Sequence, residues 1–234
     1  MPHSISVSES IRPTPTVEDY LMNMYVMERD QGEIVSARLA EMLNVSPATV
    51  TMTLKRMQRD NWITGKSHDR SIHLNETGRA AANSVIRRHM LTEWLLMKIL
   101  KVPYQQIHIE AHHIEHAISP QIEERLNEIL DAPQVCPHGN PFPGYEEVTR
   151  PWFPLTEITL GESIIIRRIH EFAENNQDLL VFLIDNGVIP GAEAQVIEVL
   201  PFNQTLTIMV VGNPITLGFP AARYVFVEKR PSSV

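Results

Sequence analysis

The sequence predicts a mainly α-helical chain with a winged helix-turn-helix at its N-terminal end and a small β-barrel at its C-terminal end. Three observations carry this. Short helical segments with clean start signals fill the first sixty residues, and two alternating runs, Trp62–Thr64 and Ser71–Leu74, follow them. Beyond a proline-dense stretch, the pattern changes to β-branched segments separated by turns. Residues 1–15 are rich in Ser, Pro and Thr without periodicity, so Thr16 is the expected cap of a first helix from Val17 to about Glu28. A second helix is expected from Ser36 to Leu43. The third starts where Ser46 caps and Pro47 takes the first helical position, and it runs to about Asp60. The alternating runs flank the polar stretch Gly65–Arg70 and read as a hairpin, the wing. Amphipathic helices follow at about 77–100, 104–117 and 119–130, punctuated by Pro103 and Pro120. Between Ala132 and Pro154 stand prolines 133, 137, 141, 143, 151 and 154, too dense for a regular element, and the stretch reads as a linker. The last part holds β-type segments at Ile164–Ile166, Ala194–Leu200, Thr205–Val211 and Tyr224–Val227, with one short helix near Gln177–Asn186. The implied domains are 1–76, 77–150 and 151–234.

Composition narrows the function classes. With 43% hydrophobic and 21% charged residues, the chain has the make-up of a folded protein and not of a disordered one. No run approaches the length of a membrane span, and the opening MPHSISVSES lacks the apolar core of a secretory signal. With one cysteine, Cys136, an intramolecular disulfide is impossible, and the expected location is the cytoplasm. The net charge of -8 hides an opposite local balance. Between residues 50 and 90, Lys55, Arg56, Arg59, Lys66, Arg70, Arg79, Arg87 and Arg88 face only Asp60, Asp69 and Glu76. Such a run can be a solvated face, but laid over a helix-turn-helix and its wing it also suits double-stranded DNA.

The histidines cluster. Five of the ten fall between 89 and 116, as His89-x3-Glu93 and His108-x3-His112-His113-x-Glu115-His116. Residues three or four apart share one helix face, so His112, Glu115 and His116 project together, and His89 pairs with Glu93. Imidazoles and carboxylates are the ligand set of divalent first-row metals, and two such pairs plus a triad in under thirty residues outweigh a solvated polar stripe. Catalysis has little support, because the chain lacks a His-Glu-x2-His motif, an activated serine or cysteine signature and a glycine-rich phosphate loop. Two rivals stay open beside a metal-responsive regulator: a metal-independent winged-helix regulator with structural histidines, and a metalloenzyme fused to a DNA-binding head.

The order of these parts resembles the diphtheria toxin repressor family, which includes iron-dependent and manganese-dependent regulators. The resemblance rests on VEDYLMNMY, LAEMLNVSPATVTMTLKRMQRDNWI, DRSIHLNETGR, RRHMLTEWLL, EAHHIEHAIS, GNPFPG and FLIDNGVIPG, and so covers nearly the whole chain. It implies a helical dimerisation and metal-binding domain after the wing, a C-terminal SH3-like domain, and a homodimeric repressor of operator DNA with Mn2+, or alternatively Fe2+, as corepressor. It also implies that no membrane or small organic substrate is involved. Carried over by position, Asp19, His112, Glu115 and His116 would form a primary metal site, with Met22 one turn from Asp19. A second site would use His89, Glu93 and His108 with Glu171 and Glu174, Gln177 being the competing choice. Iron-type members carry sulfur ligands where this chain has Asp19 and His112, and manganese-type members carry acids where it has Met22 and His112. The site is therefore a hybrid, in which the hard oxygen of Asp19 favours manganese. In the reading helix, Ser46, Ala48, Thr49, Thr51 and Met52 would meet base edges, while Arg56, Arg59, Lys66 and Arg70 suit phosphates.

Overall fold

The computed structural model describes residues 12–65 and 72–230. It divides into two compact units, the boundary lying between Val85 and Ile86.

In the first unit, helix α1 spans Pro15–Gln31, with Thr14 at its N-cap. The helix starts earlier than the expected Thr16 cap because Pro15 suits the first helical position, where its fixed φ is helical and its missing N–H is not needed. It ends at Gly32, whose φ of 75° lets its N–H reach Glu28 O at 3.1 Å. Helix α2 (Ser36–Met42) and helix α3 (Pro47–Arg59) follow, and Ser46 caps α3 by accepting a hydrogen bond from Thr49 N at 3.1 Å. Leu21, Met24, Met27, Leu39, Leu54 and Met57 are buried in this unit. Val50 is buried as well, so it is a packing residue. Strands β1 (Ile63–Thr64) and β2 (His73–Leu74) pair antiparallel as the base of the wing. Glu28 ties that base down: Leu74 N donates to its Oε1 at 3.1 Å, and Arg79 Nη2 donates to its Oε2 at 2.5 Å. Lys66 and Arg70 lie outside the described residues.

Helix α4 (Glu76–Trp94) crosses the unit boundary and ends in a wider π-type turn at Leu95–Ile99, where an uninterrupted helix to residue 100 was expected. The second unit continues with a 3-10 turn at Tyr104–Gln106, α5 (Ile107–Ile114), a 3-10 turn at Glu115–Ala117 and α6 (Pro120–Ile129). Its β part adds strands β3 (Phe153–Pro154), β4 (Ser163–Ile169), β5 (Glu193–Leu200), β6 (Thr205–Val210), β7 (Asn213–Gly218) and β8 (Val225–Lys229). They form one antiparallel sheet in the order β3-β8-β4-β5-β6-β7. Short helices α7 (Glu171–Glu174), α8 (Gln177–Asp185) and α9 (Phe219–Ala222) fill the connections. Ile164, Ile166, Leu180, Leu183, Ile208 and Val227 make the centre of its core. Strand β7 escaped the sequence pattern because it carries Pro214 and ends in Gly218. It stands at a sheet edge, where a proline's missing donor costs no ladder bond.

The proline-dense stretch begins as a buried loop and not as an open linker. Val135 and Pro141 form an isolated bridge, Cys136 N donates to Asn140 O at 2.8 Å, and Gly139 N donates to Cys136 O at 2.9 Å. Cys136, His138, Asn140 and Phe142 are buried. Trp94 Nε1 donates to Val135 O and Tyr104 Oη to Pro137 O, each at 2.8 Å, which holds the loop to the helices. On its other side, Ile169 N of β4 donates to His138 O at 2.8 Å. Gly139 has φ 88°, and a Cβ there would stand 2.0 Å from Arg167 O, so no other residue permits this approach. Among the described residues, no helix is long and apolar enough to cross a membrane.

Candidate metal centre and nucleic-acid interface

Three helices of the second unit converge on one buried polar pocket. Helix α4 supplies His89 and Glu93 one turn apart, α5 supplies His108, and α7 supplies Glu174. One ligand atom from each of the four lies within 4.8 Å of the others. His89 Nε2 stands 3.2 Å from both Glu93 Oε1 and His108 Nδ1, and His108 Nδ1 stands 2.9 Å from Glu174 Oε2. Glu93 and Glu174 are almost completely buried. Glu93 anchors a further set of ligand atoms with Cys136 and His138. His138 Nδ1 lies 3.2 Å from Glu93 Oε1 and 3.6 Å from Glu174 Oε1, and its ring stacks on Tyr104 with centroids 4.9 Å apart.

A second carboxylate, Glu115, gathers the other imidazoles. It is fully buried at the turn that ends α5, with His112 Nδ1 3.1 Å from its Oε1 and His116 Nε2 3.5 Å from the same atom. Its Oε2 meets His89 Nδ1. One imidazole thus touches both clusters, with Glu115 on one ring nitrogen and Glu93 on the other.

The charges are mutually dependent. Burial works against a charged His89, but Glu115 and Glu93 outweigh it and hold that imidazole well above its ordinary pKa. Burial likewise opposes ionisation of Glu93, yet the charges of His138 and His89 hold its carboxyl well below the usual range. Glu115 is brought down to about 2, against its burial, by His89 and His112. His108 is lifted to about 9, again against burial, by hydrogen bonds with Glu174 and Glu93. Burial pushes the Cys136 thiol well up, reinforced by Glu93 and Glu174.

The donor chemistry fits a divalent first-row ion. The pocket concentrates imidazole nitrogen and carboxylate oxygen in a protein interior, where either charge alone would be costly. Glu93 Oε2 and both ring nitrogens of His138 are buried without a hydrogen-bond partner of good geometry, as expected of atoms that await a ligand.

Each metal-ligand candidate expected from the sequence lies among the described residues. His89, Glu93, His108 and Glu174 come together, and so do His112, Glu115 and His116. Glu171 and Glu174, expected to act as a pair, part company: Glu171 accepts from Arg168 Nη2 at 2.9 Å, and only Glu174 faces His108. Three residues apart on the single turn of α7, their side chains thus take different partners, Arg168 and His108. Gln177 donates from Nε2 to Gln105 O at 3.1 Å. Asp19 and Met22 are half-buried positions of α1 in the first unit. Cys136 and His138 were missed because the prolines around them read as a linker. The signal available was a Cys-x-His pair holding the chain's single cysteine.

The first unit presents the other candidate surface. Ser46, Ala48, Thr49, Met52, Arg56 and Arg59 are exposed along α3, and Met52 keeps 72% of its surface in solvent. An exposed methionine in a helix whose opposite face is core has no packing role. Thr51 is half-buried, and its hydroxyl donates to Pro47 O at 3.0 Å. Arg59 forks onto Asp60, with Nε 2.9 Å from Oδ1.

The chain is similar to known proteins along most of its length. Residues 13–68 match the iron dependent repressor N-terminal DNA binding domain, residues 75–144 the iron dependent repressor metal binding and dimerisation domain, and residues 153–229 the FeoA domain. The iron-dependent repressor IdeR of Mycobacterium tuberculosis is 36% identical over 226 residues, covering 92% of this chain and 97% of its own. The diphtheria toxin repressor of Corynebacterium diphtheriae is 32% identical over 192 residues, 78% of this chain and 84% of its own. Among solved structures, a manganese-dependent transcriptional repressor in complex with manganese superposes with a TM-score of 0.78 at 24% identity, which shows the shared fold. It covers 92% of this chain and all of its own. ScaR with bound Zn2+ has a TM-score of 0.76 at 30% identity, over 93% of this chain and 100% of its own.

Proposed function

Because the chain belongs to the iron-dependent repressor family, we propose that it is a metal-dependent transcriptional repressor that binds operator DNA as a homodimer. Its corepressor is Mn2+ or Fe2+, and the genes it controls serve metal homeostasis. The observation that carries this reading is the buried pocket of His89, Glu93, His108 and Glu174, joined through His89 to Glu115, His112 and His116. The three parts 1–76, 77–150 and 151–234 divide the work into reading DNA, sensing metal with dimerisation, and completing the metal site. Asp19 is the ligand that the family resemblance adds to His112, Glu115 and His116, with Met22 beside it on α1.

When bound, a divalent ion supplies the positive charge that protons on the histidines supply in its absence. His89 and His108 must give up those protons to act as ligands, while Glu93 and Glu115 remain ionised. The histidine and glutamate side chains hold α4, α5, α7 and the 136–140 loop at fixed spacings, and that is what a switch needs. Only an arrangement that binds the ion better than its alternatives is favoured by it. The apolar side chains of Ile99, Leu100, Ile122 and Ile129, each more than half exposed on the helices of the second unit, are the surface we assign to the second copy. Each copy then offers one α3 to the major groove, with Ala48, Thr49, Thr51 and Met52 at base edges and Arg56 and Arg59 at phosphates. No catalytic step is assigned, and the site of action is the cytoplasm, with the operator.

The test is equilibrium dialysis of Mn2+ and Fe2+ followed by a footprint on the DNA upstream of the chain's own gene. Protection that requires the ion and disappears in Glu115→Ala and His116→Ala, with the protein still folded, supports the reading. Protection that persists in chelator makes the histidines structural.

A further inference from the structure

Asn140 stands at the centre of a buried polar chain that ends on the metal pocket. Its Nδ2 donates to Ile169 O at 2.8 Å and to Glu174 Oε1, while its Oδ1 accepts from Arg168 Nε at 2.5 Å. Arg168 is 2% exposed, and it donates from Nη2 to Glu171 Oε2 at 2.9 Å while its guanidinium lies 5.0 Å from the Phe226 ring centroid. The amide can therefore sit only one way round. Exchanging its oxygen and nitrogen would set an Arg168 N–H against an NH2, and the Ile169 and Glu174 oxygens against an oxygen. Gly139 makes the arrangement reachable, since only a residue without a Cβ lets the loop approach Arg167 so closely.

The consequence falls on Glu174. One of its oxygens, Oε1, is held by Asn140 and faces His138 Nδ1 at 3.6 Å. The other, Oε2, is turned to His108 Nδ1 at 2.9 Å. We propose that Asn140, oriented by Arg168, is a positioning residue that fixes Glu174 as a one-oxygen ligand offering Oε2. In the same arrangement Glu171 is the counter-charge of Arg168 and not a ligand. The inference rests on the pocket being a metal site, as proposed above. Partners that orient metal ligands typically contribute about 10- to 100-fold to affinity.

The variant that separates orientation from folding is Asn140→Asp. Its carboxylate keeps the pairing with Arg168, but it meets the Glu174 oxygen without an N–H. Arg168→Lys keeps a buried cation but loses the fork between Asn140 and Glu171. Mn2+ titration of the full-length protein, with free ion counted by electron paramagnetic resonance, resolves the classes of site. Glu174→Ala and Asn140→Asp should each weaken the same class about 10- to 100-fold and spare the class that depends on Glu115, with a smaller loss in the same class for Arg168→Lys. At saturating Co2+, the visible spectrum of that class should shift in Asn140→Asp as it does in Glu174→Ala. If Asn140→Asp does not fold, Arg168→Lys alone decides. Unchanged binding in the Asn140 and Arg168 variants, with a clear loss in Glu174→Ala, overturns the positioning role. So does a loss of urea stability with no change in binding or spectrum. Unchanged binding in Glu174→Ala instead overturns the metal pocket itself.

Discussion

Replacing Glu115 by Gln removes one negative charge from a fully buried site while keeping the side chain's shape. The carboxylate is surrounded by His89, His112 and His116, and against the opposing effect of burial His89 and His112 hold its pKa at about 2, below an ordinary 4.5. Lowering a carboxyl from 4.5 to about 2 corresponds to about 3 kcal/mol, an upper value for what the ionised form contributes to the metal-free protein. The sign is fixed by the direction. A carboxyl with a depressed pKa contributes stability that is present above pH 4.5 and is lost as the pH falls through 2. In chelator, urea unfolding of Glu115→Gln should fall below the unsubstituted protein by up to about 3 kcal/mol at pH 7, and the gap should narrow steadily below pH 4.5. A variant as stable as the original at pH 7, or a gap that stays constant from pH 7 to pH 3, would refute the claim that Glu115 is ionised against these histidines.

Other consequences follow from the same geometry. His108, lifted to about 9, contributes stability that is complete below pH 6.5 and is lost as the pH rises through 9. Chelated protein should therefore weaken between those values, and calorimetry in buffers of different ionisation enthalpy should show protons released when Mn2+ binds at pH 7. An uptake of protons would contradict this. Gly139→Ala forces a Cβ to 2.0 Å from Arg167 O in a left-handed conformation, so thermal unfolding should show a loss of several kcal/mol, beyond that of an ordinary surface substitution. Arg56→Ala should weaken binding to all DNA sequences alike and lower the salt slope by about 0.9, whereas Met52→Ala should change which operator sequence is preferred. Equal effects of the two on sequence preference would displace α3 from its reading role.

What the sequence made legible were the features encoded locally. Ser46 and Pro47 announce α3 because a cap and a first-turn proline act within one turn, and the spacing of His112, Glu115 and His116 survives in the fold because three and four residues return to the same helix face. Features that depend on tertiary docking were hidden. His138 and Asn140 lie in a run of prolines whose composition says only that no helix or strand continues, and their roles come from hydrogen bonds to Ile169, Arg168 and Glu174 some thirty residues away. The choice between Glu171 and Glu174 could not be read either, since a helix of four residues has no periodicity to phase it. The π-type turn after Trp94 is similarly silent, because LLMKI is as good a helix as any in the chain.

In a metal-dependent repressor, metal binding and DNA binding are one coupled equilibrium. The most direct measurement is the affinity of the full-length protein for DNA from upstream of its own gene, by fluorescence anisotropy at fixed salt, in Mn2+ or Fe2+ and in chelator. Binding should be tighter with the ion by about tenfold or more, with the same loss in Glu115→Ala with the ion present as in chelator. Equal affinity in metal and in chelator would contradict it.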